Sequence, residues 1–371
     1  MIMRVQQHSG SDAVLQPVDV VSETVHAIDS ANDELRRLNL EIYNNPEILF
    51  QEKRACKLLS DFFEGRGWSV KRGVYGIETA FEARFSIREG GRTVCFNAEY
   101  DALPGVGHAC GHNLIATSSV ASAVGVEAVM KARGLPGTLV VMGTPAEETG
   151  GGKWIMAKNG AWKGFDACVM THGMPNFSTP LCLTKASWKM RAKFHGKTAH
   201  AAAAPWTGRN ACDAIVQAYN GIALLRQQIE KTESIQGCIL EAGKAPNLIP
   251  DYAEGVFSVR APTSPQLEAL RKRFEPIFHG AAAATGCTVE LDCYICPGIQ
   301  AMFNINAADL PHSAKFKEAA GLDFAHAEAL RAGKANALIC LDVLMNDDFA
   351  AKMKQEFKET MKKAGRWEGE D

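Results

Sequence analysis

The 371-residue sequence has almost no excess charge of either sign: 40 Lys and Arg stand against 42 Asp and Glu, a formal net charge of -2. That balance leaves no basic footprint for nucleic acid and no patch for an anionic membrane, and it points to a small-molecule partner. No apolar run approaches the roughly 18 residues that a membrane span needs. The opening stretch MIMRVQQHSGSDAV is too polar for a secretory signal, so a soluble, cytoplasmic protein is expected. A disulfide framework is missing as well, because eleven cysteines, an odd number scattered over a long chain, read as reduced thiols. Cys95 in TVCFNAEY and Cys168 in DACVM lie inside apolar runs and are expected in the core, where a thiol packs as a small hydrophobe. At 46% hydrophobic and 22% charged residues the chain can fill a sizeable core. Its length suits two to three domains of roughly 150 residues.

Periodicity is what the chain does carry. Apolar residues at helical spacing over 22–44 and 52–65, among them Leu35, Leu38, Ile42, Leu59 and Phe63, predict two helices, the second stopped by Gly65 and Gly67. Strand-like runs WSVKRGVY, TAFEARFSI and TVCFNAEY come next. An Ala- and Val-rich helix over 112–133 ends before Gly134, the strand TLVVMG follows, and TGGGK opens another helix before the strand DACVMT. Buried strands alternating with helices predict an α/β domain with a parallel sheet covered on both faces. From about residue 183 the alternation changes. LTKASWKMRAKFHG, SIQGCILEAG, YAEGVFSVR and TVELDCY read as strands around helices over 208–228 and 264–284. That predicts a small α+β domain, 184–293, inserted into an α/β domain made of 1–183 and 294–371. Helices over 322–345 and 347–363 are expected to return to the α/β domain.

In an open parallel α/β sheet, ligands bind beyond the carboxyl ends of the strands. There TVCFNAEY leads into DALPGVGHACGHN, with Asp101, His108, Cys110 and His112. TLVVMG leads into TPAEETGGGK, with Glu147 and Glu148, and DACVMT leads into His172. Taken singly, each has a blander reading. A Cys-x-His pair arises by chance, a Glu-Glu pair is usually solvated surface, and a His ending a strand is usually a hydrogen-bonded structural residue. Three successive strands delivering thiolate, imidazole and carboxylate to one sheet edge outweigh those readings together. The mixture suits Zn²⁺ or a similar borderline ion and leaves a carboxylate for proton transfer, which points to a catalytic metal site.

The blocks FNAEYDALPGVGHACGHNLIA, VVMGTPAEETGGGK, GKTAHAAAAPWTGRNACDA and KAPNLIPDYAEGVFSVRAP resemble, in order, the signature blocks of the metallopeptidase family twenty amidohydrolases. That family includes aminoacylases, aminobenzoyl-glutamate hydrolase and β-alanyl-lysine dipeptidase. HACGHN, with Asn113 where many relatives carry Asp, and the GGGK run are most similar to the dipeptidase branch. The resemblance spans about 35–354. It implies a zinc-peptidase-like α/β domain with a mixed, mainly parallel sheet and an inserted lid that commonly pairs subunits as a homodimer. It further implies that Cys110, His112, Glu148, His172 and His312 hold up to two cations, Zn²⁺ or, with the same donors, Mn²⁺ or Co²⁺, with Cys110 bridging as thiolate. His312, in LPHSAKFKEAAG, comes from the resemblance alone. The implied substrate is a dipeptide or N-acyl amino acid. Its amide is attacked by water acidified at the metal, from about pKa 15.7 to about 7. Glu147 then takes the proton and passes it to the departing nitrogen. Asp101 would orient a ligand, and His200, in GKTAHAA, would donate to the oxyanion, often across the dimer. Asn247 and Arg260 match lid positions that can hold a substrate carboxylate; Arg260 reads equally well as a surface charge ending a strand.

Other chemistries fit less well. TGGGKW lacks the Ser or Thr and the spacing of a phosphate loop. Cys293 and Cys296 form a Cys-x-x-Cys without a thioredoxin-like strand and helix around it. Ser118 and Ser119 sit inside the Ala-rich helix, without a nucleophile elbow, and are expected to be packing residues. The chain also departs from the family pattern. A strand, a helix and a Gly-Ser-Thr-Asp-type loop that the family carries after TVELDCY are missing, and Ile299, Gln300 and Ala301 stand where relatives read Ile-His-Pro. Two readings follow: an active metal-dependent amidohydrolase or dipeptidase, or a shortened family member that persists as a binding or dimerisation module.

Overall fold

The two largest apolar clusters among the described residues organise the chain, one gathered from both of its ends and one from its middle. The computed structural model describes residues 18–148, 150–182, 185–295 and 300–363. Helices α1 (Val18–Ser30), α2 (Asn32–Asn44) and α3 (Lys53–Gly65) precede β1 (Ser69–Arg72), β2 (Phe81–Ser86) and β3 (Thr93–Glu99). Next come α4 (His112–Arg133), β4 (Thr138–Thr144), α5 (Gly152–Lys158), β5 (Ala167–Val169), β6 (Thr171–Met174) and β7 (Thr179–Cys182). The first five strands form one sheet in the order β1-β2-β4-β3-β5. Pairing is parallel where β3 meets β4 and β5, and antiparallel where β2 meets β4 and β1. The sheet is therefore mixed, with its parallel part at β3, the strand that leads into the Asp101 loop.

The run 22–44, expected as one helix, is two. Ala31 breaks it (φ -91, ψ 1) amid Asp29, Ser30, Asn32 and Asp33, short polar residues that compete with the backbone for hydrogen bonds. Helix α4 begins and ends where the sequence places it. Gly134 closes it in the left-handed conformation, its N–H donating to the Met130 carbonyl. By length and composition α4 could cross a membrane, yet it is buried almost throughout inside the α/β domain. Its small residues permit that burial. Ser119 donates to the Asn97 carbonyl at 2.7 Å and Ser118 shares a hydrogen bond with Thr171 at 2.9 Å, so both serines serve packing as expected. Cys95 is buried, but Cys168 is exposed on β5, the edge strand of the large sheet among the described residues.

The middle of the chain forms β8 (Ala186–His195), β9 (Ala199–His200), α6 (Ala211–Arg226), β10 (Ser234–Glu241) and β11 (Leu248–Ile249). β12 (Tyr252–Ala261), α7 (Ser264–Thr285) and β13 (Thr288–Ile295) complete it. Its antiparallel sheet runs β10-β12-β8-β13. Alternation along β8 and β12 sends Trp188, Met190, Phe194, Phe257 and Val259 into a core under α6 and α7. The opposite face carries Lys189, Arg191, Glu254 and Arg260.

The chain then returns through β14 (Gln300–Asn304), α8 (Ala314–Ala320), α9 (Asp323–Met345) and α10 (Asp347–Lys363). Leu330, Ala337, Cys340 and Leu341 of α9 join the first core, as the helical pattern predicts. A three-stranded sheet, β6-β14-β7, is a feature that periodicity does not reveal. The run DACVMT, read as one strand, divides at Met170: β5 stays in the large sheet, while β6 pairs in parallel with β14. Cys296 and Ile299 lie outside the described residues.

Candidate metal centre

Beyond the end of β3, Asp101 and the turn around Leu103 and Gly107 return the chain so that Cys110 precedes α4 and His112 is the first residue of that helix. Gly111 between them takes a left-handed φ of 77°, which glycine adopts without cost. β4 ends at Thr144 and delivers Glu147 and Glu148 through a turn in which Ala146 is left-handed, φ 56°. β6 carries His172, and the loop before α8 carries His312, also left-handed at φ 72°. The His312 N–H donates to the Ala109 carbonyl at 2.8 Å, which ties this distant loop to the Cys110 turn.

These elements bring Cys110, His112, Glu148, His172 and His312 together. The ligand atoms of Cys110, His112 and His172 lie within 4.8 Å of one another, as do those of Cys110, Glu148 and His312, so the Cys110 sulfur belongs to both groups. A third such group joins His112, Glu147 and Glu148. Cys110 Sγ is 3.4 Å from His172 Nε2, and His312 Nε2 is 3.4 Å from Glu148 Oε2. The His112 ring is fixed from behind. Its Nδ1 is 2.8 Å from the Asp101 carbonyl and 3.0 Å from Asp101 Oδ1; both oxygens only accept, so Nδ1 carries a proton, and Nε2, facing inward, is the nitrogen left to bind a cation. The other Asp101 oxygen accepts the Glu148 N–H at 3.0 Å. His172 is fixed likewise, its Nδ1 donating to the Gly173 carbonyl at 2.7 Å.

Two buried atoms in this cluster, His112 Nε2 and Glu148 Oε1, have no hydrogen-bond partner among the described residues and stand 3.7 Å apart. Such orphans are costly in an interior, and a cation between them would satisfy both. Thiolate, imidazole and carboxylate donors around a shared sulfur fit a pair of borderline divalent cations. The electrostatics agree. Burial pushes the Cys110 thiol up, but His112, His172 and His312 outweigh it and hold the group at about 6. Cys110 and Glu148 raise His312 to about 10. Burial works against the Asp101 carboxylate as well, yet His112 and the N–H groups of Glu148 and Glu147 bring it to about 2.

Glu147 stands at the mouth of the cluster, partly exposed. Burial disfavours its charge, but Lys153, Lys189 and His112 prevail and hold it at about 2. Neither lysine was singled out by the sequence. Lys153, from the GGGK run, forms an ion pair with the buried Glu99, whose other oxygen is 3.5 Å from His112 Nε2. Lys189 reaches down from the open face of the inserted sheet, donating to the Glu147 carbonyl at 3.1 Å and standing 3.7 Å from Glu147 Oε1. No local signal marks Lys189, because an outward lysine on an alternating strand is ordinary.

The remaining predicted residues lie outside the cluster. His200 is exposed on β9, its Nδ1 accepting the N–H groups of Ala202 and Ala203 at 3.3 and 3.2 Å, which leaves Nε2 as the donor. Asn247 is its neighbour, its carbonyl accepting the Ala201 N–H at 3.0 Å. Arg260 is exposed on β12 opposite Ser187, on the sheet face that carries Lys189. His108 is buried with neither ring nitrogen hydrogen-bonded among the described residues, and burial and His112 drive it down to about 3.

The glycines after the glutamates serve close packing. A Cβ on Gly152 would sit 1.9 Å from the Pro145 carbonyl oxygen, and one on Gly150 would sit 2.6 Å from Leu49 and Ala146 carbons. Gly152→Ala is therefore expected to cost about 3 kcal/mol, the upper range for overpacking, and to lower the thermal midpoint by several degrees. An unchanged midpoint would show that the turn can relax.

The family model for a peptidase dimerisation domain matches residues 183–285, which include β8 to α7 of the inserted unit and stop short of β13. Together with the relatives below, that match shows that the chain belongs to metallopeptidase family twenty. It is 36% identical to the Xaa-Arg dipeptidase of Mus musculus over 392 positions, which cover 89% of this chain and 90% of that protein. The alignment is longer than this 371-residue chain, so the relative has positions without a counterpart here. A p-aminobenzoyl-glutamate hydrolase subunit of Escherichia coli is 33% identical, over 67% of this chain and 55% of that protein. Among solved structures, a Bacillus subtilis protein described as a dinuclear metal-binding peptidase shares the fold. Its TM-score is 0.51 at 18% identity, covering 84% of this chain and 99% of that one.

Proposed function

We propose that the protein hydrolyses the amide bond of a dipeptide or N-acyl amino acid, with Zn²⁺ held by Cys110, His112, Glu148, His172 and His312. The observation that carries the reading is the pair of donor groups sharing the Cys110 sulfur, with two orphaned buried atoms turned into the space between them. Bound divalent cations supply Lewis-acid polarisation of the scissile carbonyl and acidify water. The chain's own residues do the rest. Glu147 accepts the proton of the attacking water at a carboxylate oxygen and hands it to the departing nitrogen, so one carboxylate serves both half-reactions. Lys153 and Lys189 keep it ionised and ready to accept. Asp101 holds His112 in the ligating tautomer and Glu148 in place through its backbone N–H.

His200 lies outside the cluster of its own chain, and its free donor suits the oxyanion of the second copy in a homodimer built through the inserted domain. The edge strand β10 and helix α6, with Leu240 and Leu224 exposed at 54% and 76%, are the apolar surface for that pairing. Arg260 and Asn247 are the proposed holders of the substrate carboxylate, where the planar guanidinium fork suits two-point contact. Nothing favours the alternative of an inactive binding module, since the five donors and Glu147 are assembled despite the shortened segment.

The test is a hydrolysis screen with and without chelator. Substrates are dipeptides ending in Arg, β-alanyl and γ-aminobutyryl dipeptides, and N-acyl amino acids. Cleavage of at least one class, abolished by chelator and restored by Zn²⁺, Mn²⁺ or Co²⁺, is expected; chelator-resistant cleavage would contradict the reading. Asp101→Asn is expected to weaken metal affinity about 10- to 100-fold in calorimetric titration, because the ligating ring loses its orienting carboxylate. In the metal-free protein the depressed Asp101 value also has a pH consequence. The folded state binds that proton less readily than the unfolded chain, so the stabilisation is complete above about pH 3.8 and drains away as pH falls toward about 2. Asp101→Asn should flatten that part of the acid unfolding curve, and an unaltered curve would show that Asp101 is not the group responsible.

A further inference from the structure

The loop 45–52, just before α3, touches both segments that build the metal centre. Its Glu47 carbonyl accepts the Ala102 N–H at 2.8 Å, beside Asp101, while the Glu47 carboxylate accepts the Arg54 and Ala55 N–H groups at 3.0 and 2.9 Å and so anchors the loop to α3. At its other end Glu52 is completely buried. Glu52 Oε1 accepts two backbone N–H groups, from Phe50 and from Ala146, each at 3.0 Å, and Oε2 accepts the Thr79 hydroxyl at 3.0 Å. Thr79 is itself fixed, its carbonyl accepting the Tyr100 hydroxyl at 2.6 Å. Among the described residues Glu52 forms no ion pair, so these three hydrogen bonds are what offset the cost of burying its carboxylate.

Both backbone groups that Glu52 grips belong to strained residues. Phe50 has φ 61° and Ala146 has φ 56°, left-handed values that residues with a Cβ keep only where the surroundings enforce them. Ala146 immediately precedes Glu147. Leu49 and Phe50 also fill the space against Gly150, two residues beyond Glu148, where a Cβ would lie 2.6 and 2.8 Å from their side-chain carbons. One buried carboxylate thus pins the entrance of the Glu147–Glu148 turn, and the strained loop it also pins blocks the exit.

We propose that Glu52 is a positioning residue for the hydrolysis: it holds Ala146 in the left-handed turn that aims Glu147 and Glu148 into the cluster, touching neither substrate nor cation. The inference rests on the reading of Glu147 as the proton-transferring carboxylate, and Glu147→Gln serves as the control that separates the two. Glu52→Ala is expected to lower kcat about 10- to 100-fold, as misplacement of a reacting group does, with KM within roughly twofold and metal content retained. Hydrogen exchange of the metal-free variant should quicken at the amides of Ala146, Glu147 and Glu148. Glu52→Gln should recover most of the rate, because its amide oxygen can accept the same two N–H groups while its NH₂ donates to Thr79. Glu52→Asp keeps the charge but is too short to reach both N–H groups; it is expected to be slow, and it carries the test if the Ala variant does not fold. Wild-type kcat in Glu52→Asp or Glu52→Ala, or a Gln variant as slow as the other two, would overturn the positioning role. If Glu147→Gln keeps its turnover, it is the base assignment that falls; if Glu147→Gln is dead while the Ala and Asp variants at 52 are fast, only the positioning role does.

Discussion

Glu147→Gln is expected to lower kcat by roughly 10²- to 10⁴-fold, the range that a positioned general acid–base supplies, while metal content stays that of the parent protein. Two observations set that expectation. Glu147 lies within reach of His112 and Glu148 but outside both groups that share the Cys110 sulfur, so the amide variant keeps those donor sets whole. Its carboxylate also faces Lys153 and Lys189, which hold it ionised well below neutral pH, the state that accepts a proton. Gln keeps the size of the side chain and removes only the proton transfer. Steady-state kinetics beside elemental analysis checks both halves, and unchanged turnover with full metal content would remove Glu147 from the reaction.

The second large effect is expected at Cys110. Its sulfur is the atom common to both donor groups, and it carries the thiolate charge that His112, His172 and His312 stabilise. Cys110→Ala should therefore lose more metal affinity than the about 10- to 100-fold expected for Asp101→Asn, and should deplete both cations together. Activity should fall with the metal and return only in part at high added Zn²⁺. A variant that still holds two cations at parental affinity would show that the sulfur is not shared.

Where a local rule decides the conformation, the sequence was legible. Gly134 closes α4 because only a left-handed residue finishes that helix, and alternation along β8 and β12 sorts the second core from the open face. Where the outcome depends on distant partners, it was not. DACVMT divides at Met170 because β14, more than a hundred residues later, pairs with β6 and not with β5. Cys168 is exposed because the large sheet, among the described residues, stops at β5. The same divide runs through the site. The rule that ligands gather beyond strand ends picks out Cys110, His112, Glu147, Glu148 and His172, which the fold brings together. His312, by contrast, reaches them through a left-handed loop held to Ala109, which no spacing encodes. Glu52 and Lys189 carry no sequence mark for a similar reason. One looks like a helix-start glutamate and the other like a surface lysine, and only the tertiary fold aims them at the Glu147 turn.

The central claim is that five side chains remote in sequence enclose two cations around one sulfur. Crystals of the zinc-loaded protein, measured on either side of the zinc absorption edge, test it directly. The account predicts two anomalous peaks per chain, both within bonding distance of Cys110 Sγ and together reached by His112, Glu148, His172 and His312. Peaks located away from these residues, or none in protein that cleaves its substrate, would contradict it.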